Sequence, residues 1–217
     1  MSNKTEYIAP FTLWLVVRKR FRSDGLFVEP AWVGDAECSG PVVFASRIHA
    51  HVYATLRNTY HQKDDSNNWN AIPLHEFDLL DHVRALDGRV NCQMAFGFCT
   101  DATGALIVAK GAPRLRYANM PFEIPNDMDA VTFNFNQWVF DFMREEWASN
   151  GASSIEHTFD QIDGLDAAAF SRVAAVAVAN ARITRDGTNQ ERWTAYHPGL
   201  EQWVSAETPG HRSSVLH

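Results

Sequence analysis

The sequence has few cysteines, no long apolar run and no excess of positive charge. Three cysteines in 217 residues, Cys38, Cys92 and Cys99, are too few and too oddly spaced for a disulfide framework or a zinc site. The longest apolar run near the start, residues 13–17, is far too short to cross a bilayer, and the first ten residues lack the pattern of a secretory signal. We therefore expect a protein of a reducing compartment, the cytoplasm, without a membrane anchor.

The charge balance excludes one large class of ligand and leaves another open. The net charge is −7, whereas phosphate binding requires clustered positive charge, so we do not expect nucleic acid as a partner. An acidic chain is compatible with a basic protein partner. Seven Trp and fourteen Phe provide ample material for a core. The length predicts a single domain over residues 1–217, with about the last ten residues frayed.

Sequence motifs for catalysis and for metal binding are also missing. No serine lies in a G-x-S-x-G turn, and no glycine-rich loop ends in Lys followed by Ser or Thr. His75-Glu76 resembles the start of a zinc-protease motif, but Leu79 stands where the second histidine is required. We therefore predict no catalytic residue, no metal and no cofactor. The alternative is a hydrolase whose site is assembled from distant residues, such as His49 or His82 with a carboxylate, or a reactive Cys99.

Hydrophobic periodicity predicts an α+β fold. The clearest strand signal lies in residues 90–124, where Cys92, Met94, Phe96 and Phe98 alternate with small or polar residues, which predicts an antiparallel meander with one apolar face. A strand over residues 7–17, followed by a basic run and a turn, predicts an N-terminal hairpin. Helical spacing predicts four helices, over residues 44–58, 72–86, the second part of 131–150, and 165–182, the last capped by Asp163 or Asp166. Runs of strands and runs of helices predict an antiparallel sheet covered by about four helices.

One strand–turn–strand segment carries a resemblance to a known class of proteins. Phe96-Gly97-Phe98, followed by Asp101 and by Gly104-Ala105-Leu106, resembles segments of the immunity proteins of bacterial interbacterial-toxin systems. Those proteins are small cytosolic α+β domains, often acidic and rich in Trp, without catalytic motifs. The resemblance implies a non-catalytic protein that neutralises a cognate toxin by forming a tight complex, with an acidic face that speeds association with a basic toxin. A third interpretation, beside this one and the hydrolase, is an adaptor subunit of a larger assembly.

The predicted partner-binding surface surrounds the first two helices. A tight interface needs an aromatic centre with a polar rim, and Trp69 stands in a polar loop among acidic residues. The residues predicted for this surface are Asp64, Asp65, Trp69, Glu76, Asp78 and Asp81. The alternative for Trp69 is that it folds back onto the core. A second, less favoured acidic set comprises Glu145, Glu146, Glu156, Asp160 and Asp163.

Overall fold

A computed structural model describes residues 4–22, 25–34, 38–60, 68–125, 128, 130–185 and 192–205. The strands in these residues are β1 Lys4–Ile8, β2 Trp14–Arg22, β3 Gly25–Pro30, β4 Trp32–Gly34, β5 Ser39–Phe44, β6 Asn70–Pro73, β7 Arg89–Cys99, β8 Leu106–Ala109, β9 Ala112–Pro113, β10 Leu115–Glu123, β11 Ala130–Asn134, β12 Ile183–Thr184, β13 Trp193–His197 and β14 Gln202–Val204. The helices are α1 Arg47–Tyr60, α2 Leu79–Arg84, α3 Gln137–Ser149, α4 Phe159–Asp163 and α5 Ala167–Ala179. Short 3-10 helices occupy Leu74–Glu76, Ile155–Thr158 and Pro198–Leu200.

Strand β7 is the centre of the main sheet. It pairs along its whole length with β10 in antiparallel fashion, so its other edge is left for β5 and β13. The β5–β7 pair is parallel, whereas β13 is antiparallel to the end of β7 and continues to β14. On the far side of β5 follow β2, β6 and β3. The α+β fold with mostly antiparallel strands is therefore confirmed, with parallel pairing at β5–β7, β1–β11 and β12–β8.

The chain reverses direction at Ala31, between β2 and β5. Strand β3 runs antiparallel to β2, while β4 runs antiparallel to β5. At the reversal, the N–H of Ala31 donates to Val16 O at 2.7 Å, and its carbonyl accepts the N–H of Val42 at 2.9 Å. Ala31 is completely buried. Strands β5 and β6 pair with β2 no further than Val17. The outer half of the β2–β3 hairpin therefore extends beyond the body of the sheet.

Helices cover both faces of the sheet, and each face has its own hydrophobic cluster. On the first face, Met94 and Phe96 of β7 pack with α2, α3 and β11. On the second, Phe44 and Phe98 pack with α1, α5 and Tyr196 of β13. We call these the α3 face and the α1 face. Trp147 of α3 joins its helix to β7 by donating its indole N–H to Phe96 O at 2.9 Å.

The prediction that Cys92, Met94, Phe96 and Phe98 share one face of β7 is wrong, because the strand contains a β-bulge. The register with β10 shifts between Arg116 and Tyr117, which pair with Gly97 and Ala95, so Phe96 has no direct partner. A bulge reverses the alternation beyond it. Phe96 therefore packs on the α3 face, while Phe98 lies on the α1 face.

Three predicted boundaries are wrong for identifiable reasons. The strand predicted over residues 7–17 is split into β1 and β2, because the segment between them contains Pro10, which cannot donate to a ladder. The helix predicted from residue 44 begins only at Arg47, since Phe44 completes β5 between β2 and β7. The helix predicted over residues 72–86 begins as β6 paired with β2, and only Leu79–Arg84 forms an α-helix.

Other elements agree with the prediction. The N-terminal hairpin is β2–β3, and the segment from residue 131 is a strand followed by α3. Helix α5 is capped by Asp166, whose carboxylate accepts the N–H of Ala169 at 2.7 Å. After α5 the chain forms β13 and β14, which contain Trp193, Tyr196 and Trp203, and the end that we expect to be frayed lies outside the described residues. No helix in the described segments combines the length and apolar character needed to span a membrane.

Candidate functional site

Trp69, the predicted aromatic centre of the partner surface, lies in the core. Only 3% of the residue is exposed. Its backbone is held by Asn58 of α1, which accepts the N–H at 2.8 Å and donates to the carbonyl at 2.9 Å. Its ring lies beneath two guanidinium groups, Arg57 at 3.8 Å and Arg18 at 4.6 Å from the ring centroid. Trp69 therefore folds back onto the core, which was the alternative interpretation of the sequence, and its ring is not available to a partner.

The acidic residues of the second predicted helix are on the surface. Glu76, Asp78 and Asp81 are all exposed, while Asp64 and Asp65 lie outside the described residues. The Asp78 carboxylate also caps α2 by accepting the N–H of Asp81 at 2.9 Å. Asp81 forms a 3.4 Å ion pair with Arg84, whose guanidinium also donates to Met128 O. We call Glu76, Asp78 and Asp81 the α2 acidic surface.

A different tryptophan, Trp32, lies beside this surface and is exposed. Trp32 is 39% exposed and contacts His82 of α2 edge to face, with ring centroids 6.0 Å apart. Phe77 contacts the same imidazole at 5.5 Å. Trp32 also forms one wall of a groove of about 650 Å³, which we call the Trp32 groove; its lining comprises Trp32, Ser39, Leu86, Arg89, Val90, Asn91, Pro121, Phe122 and Glu123.

The Trp32 groove combines an apolar floor with a charged rim. Leu86 and Phe122 are partly buried against the core of the α3 face. At the rim, Arg89 and Glu123 form an exposed ion pair at 2.7 Å. The α2 acidic surface and the groove together hold four carboxylates, Glu76, Asp78, Asp81 and Glu123, against the guanidinium group of Arg89 and that of Arg84, which is paired with Asp81. A depression lined by apolar and polar side chains in about equal measure, with an acidic surround, has the composition of a protein-binding site.

The outer half of the β2–β3 hairpin extends the same face with further exposed apolar side chains. Phe21 and Leu26 are direct cross-strand partners and are 83% and 53% exposed. They share a face with Val28, which packs on the α3-face cluster. Lys19 lies on this face too, is exposed, and makes no ion pair within the described ranges. We call Lys19, Phe21, Leu26 and Val28 the hairpin tip.

The histidines proposed for a hydrolase site are embedded in the protein. His49 is buried, and burial lowers its pKa to about 4 although its Nε2 lies 3.0 Å from Tyr196 O. Burial also lowers the pKa values of His51, His82 and His197. Neither His49 nor His82 is hydrogen-bonded to a carboxylate among the described residues. In the described part of the chain, no group of three or more His, Cys, Asp or Glu side chains is placed to hold a metal ion.

The two cysteines of β7 are protonated at neutral pH. Burial raises the pKa of Cys92 to about 12 and also raises the pKa of Cys99. Because the thiolate is the nucleophilic form, both thiols are weak nucleophiles in the folded protein.

Sequence spacing did not reveal one polar pair, Ser154 and His197. The Ser154 hydroxyl lies 2.8 Å from His197 Nε2 and joins the 3-10 helix Ile155–Thr158 to the end of β13. Ser154 is exposed and His197 is buried. His197 Nδ1 is buried without a hydrogen-bond partner in the described residues, so no carboxylate orients the ring as in a triad. The residues are more than forty positions apart, and no local motif marks them.

Asp163, from the second acidic set, is half-buried instead of forming an open surface. Burial raises its pKa to about 6, against the opposing effects of the Trp14 indole N–H at 3.4 Å and the nearby Arg47. The Arg47 guanidinium packs over Phe170 at 3.8 Å and donates to backbone carbonyls of Ile162 and Leu165. This cluster joins α1 to α4 and α5.

Comparison with protein-family models, with curated proteins and with solved structures finds no match to this chain.

Proposed function

We propose that this chain is a non-catalytic binding protein, an immunity protein that neutralises a cognate bacterial toxin in the cytoplasm by occluding it. The observation that supports the proposal is the Trp32 groove, a depression with Trp32 and Phe122 among its lining residues that adjoins the α2 acidic surface. Interfaces of this kind place an aromatic side chain at a desolvated centre and charged groups at the rim. In this arrangement Trp32 takes the role that the sequence assigned to Trp69.

The charge distribution defines the kind of toxin that this surface fits. The α2 acidic surface and the groove carry excess negative charge, and Glu76 and Asp78 make no ion pair within the described part of the chain. A basic toxin surface would be attracted over about a Debye length, roughly 8 Å at physiological salt. Its apolar centre would occupy the groove against Trp32 and Phe122. Rim charges act mainly on the association rate, whereas the buried aromatic contact controls dissociation.

The test begins with capture of the partner and ends with inhibition. A tagged copy is purified from the native host, and a stoichiometric partner is identified by mass spectrometry and expressed separately. The proposal expects that the partner is toxic to cells and that the protein suppresses this toxicity at equimolar dose. Recovery of the protein alone from its host, or a partner whose activity the protein leaves intact, contradicts the proposal.

A variant panel then locates the interface on the partner. Trp32→Ala should weaken the complex at least about tenfold, mostly through faster dissociation, because truncation of an interface centre costs 2 kcal/mol or more. Asp81→Lys should slow association and reduce its salt dependence. Trp138→Ala is the matched aromatic control, since Trp138 is 50% exposed on α3, and Glu145→Lys is the matched charge control on the same helix. Equal losses from the controls would place the partner elsewhere.

The second candidate function, a hydrolase, is favoured by one contact only, the 2.8 Å Ser154–His197 pair. A neutral imidazole within hydrogen-bond distance of an exposed serine is the arrangement of a nucleophile with its base. A fluorophosphonate probe distinguishes the candidates, because it labels an activated serine covalently. Labelling that is lost in Ser154→Ala and in His197→Gln would favour the hydrolase, and absence of labelling would favour the binding protein.

A further inference from the structure

The hairpin tip and the Trp32 groove lie on the same side of the sheet and have complementary properties. The hairpin tip projects beyond the strands that support it and presents Phe21 and Leu26, which no described element covers. The groove is a depression that exposes Trp32 and Phe122 among polar side chains. Lys19 supplies positive charge at the tip, whereas the α2 acidic surface supplies negative charge beside the groove. An apolar projection with a basic residue therefore stands on the same face as a depression that holds aromatic side chains and has acidic surroundings.

This pattern is complementary to itself. A two-fold rotation about an axis between the tip and the groove places the tip of one copy on the groove of the other, and the reverse contact forms at the same time. Phe21 and Leu26 then face Trp32 and Phe122 of the second copy. Lys19 lies two residues, about 7 Å, from Phe21 along β2, so it reaches the acidic residues next to Trp32. We infer that a second copy of this chain occupies the surface, forming a symmetric dimer in the free protein.

The extent of the surface predicts a weak dimer. From Leu26 to Pro30 the hairpin face spans about 13 Å, and the groove and α2 extend it further. The exposed large apolar side chains on this surface are few, Phe21, Leu26 and Trp32, so we expect it to bury less than the roughly 800 Å² per partner of stable complexes and to dissociate in the micromolar range. The inference rests on the proposed function in one respect: dimer formation covers the α2 acidic surface, so a toxin would bind only after displacing the second copy. The dimer would therefore regulate access to that surface.

The test measures mass in solution without any partner. Sedimentation velocity and light scattering on the full chain, from about 1 to 200 µM, should show the mass rising from that of the 24.4 kDa chain toward twice that value. Phe21→Ser should weaken self-association at least about tenfold. Because Phe21 is 83% exposed, this change leaves the fold intact, as circular dichroism and thermal unfolding will verify. Trp138→Ala is the control and should dimerise like the wild type.

A charge exchange separates a direct contact from a general effect on folding. Lys19→Glu and Asp81→Lys should each weaken the dimer, whereas the double variant should regain most of the lost affinity because the exchanged charges at positions 19 and 81 attract each other again across the interface. Lys19→Glu combined with Glu145→Lys should give no such rescue. A chain that stays monomeric at 200 µM, or a dimer that Phe21→Ser leaves unchanged, overturns the inference. If the protein is monomeric but still captures and inhibits a toxin, the dimer inference fails and the proposed function stands. If the protein dimerises but its host yields no toxin, the proposed function fails and the dimer inference stands.

Discussion

Acidification should destabilise the protein through His49, and the size of the effect follows from the structure. His49 lies in the middle of the core, where its Nε2 accepts the N–H of Tyr196 at 3.1 Å and its ring contacts Phe98. Accepting this hydrogen bond requires an unprotonated Nε2. Burial, which removes water from the charged imidazolium, lowers the pKa of His49 from 6.5 to about 4, although the Tyr196 carbonyl, 3.0 Å from Nε2, acts in the opposite direction. In the unfolded chain the same imidazole titrates near 6.5.

The direction of this change in stability follows from the number of protons that the folded and unfolded chains bind. Between pH 6.5 and pH 4 the unfolded chain binds a proton at this position and the native protein does not, so lowering the pH favours unfolding. Each pH unit in this window costs about 1.4 kcal/mol. From pH 7 to pH 5 the free energy of unfolding should fall by about 2 kcal/mol through His49 alone, and the loss should end below pH 4, where both states are protonated.

Comparison with a variant isolates this contribution. His49→Gln places an amide near the position of Nε2 and does not titrate, so its stability should fall by about 2 kcal/mol less between pH 7 and pH 5. Effects of other groups, including the raised pKa of Asp163, which acts in the opposite direction, are common to both proteins and cancel in the difference. Urea unfolding followed by tryptophan fluorescence at pH 7, 6 and 5 gives the required free energies. His51 is only half-buried, so His51→Gln should reduce the pH dependence of the unfolding free energy less than His49→Gln does. Parallel curves for wild type and His49→Gln would refute the reasoning.

Three further substitutions test single contacts by urea unfolding at pH 7. Gly97→Ala should cost about 2 kcal/mol, because its Cβ would lie 2.3 Å from Trp193 Cε3 in a packed core; a neutral result would show that the indole ring moves freely. Asp166→Ala should cost about 1 kcal/mol through loss of the α5 cap, and Asp166→Asn should restore most of it. Asn58→Ala should cost about 1–2 kcal/mol by removing both hydrogen bonds to Trp69, with a shift in tryptophan emission as Trp69 becomes hydrated; unchanged emission would show that the ring is held by packing alone.

Elements formed by local interactions could be predicted from the sequence. The cap of α5 and the strand-to-helix change before α3 depend on residues within a few positions of each other. The end of β5 was missed because Phe44 also fits the helical spacing of the segment that follows. Its assignment to a strand depends on pairing with β2 and β7, which sequence periodicity does not contain.

The two tryptophans show where prediction of the site reaches its limit. Trp69 and Trp32 both stand in short segments without clear periodicity. Trp69 is turned inward by Asn58, eleven residues away, and by Arg18, fifty-one residues away. Trp32 is left half-open because the reversal at Ala31 directs it toward α2. The orientation of each ring is determined by contacts that form only when the sheet is assembled.

Strand β1 links the order of synthesis to the order of folding. Its only ladder in the described residues is the parallel pairing with β11, in which Lys4 meets Ala130 and Ile8 meets Asn134. At typical rates of about 5–20 residues per second, the ribosome needs several seconds to reach β11 after it has made β1. During that interval the β2–β3 hairpin can close, because its partners are adjacent in the chain. Strand β1 is thus made before the other described strands but is among the last of them to be paired, and the nascent chain carries Tyr7 and Ile8 without their partners until β11 emerges.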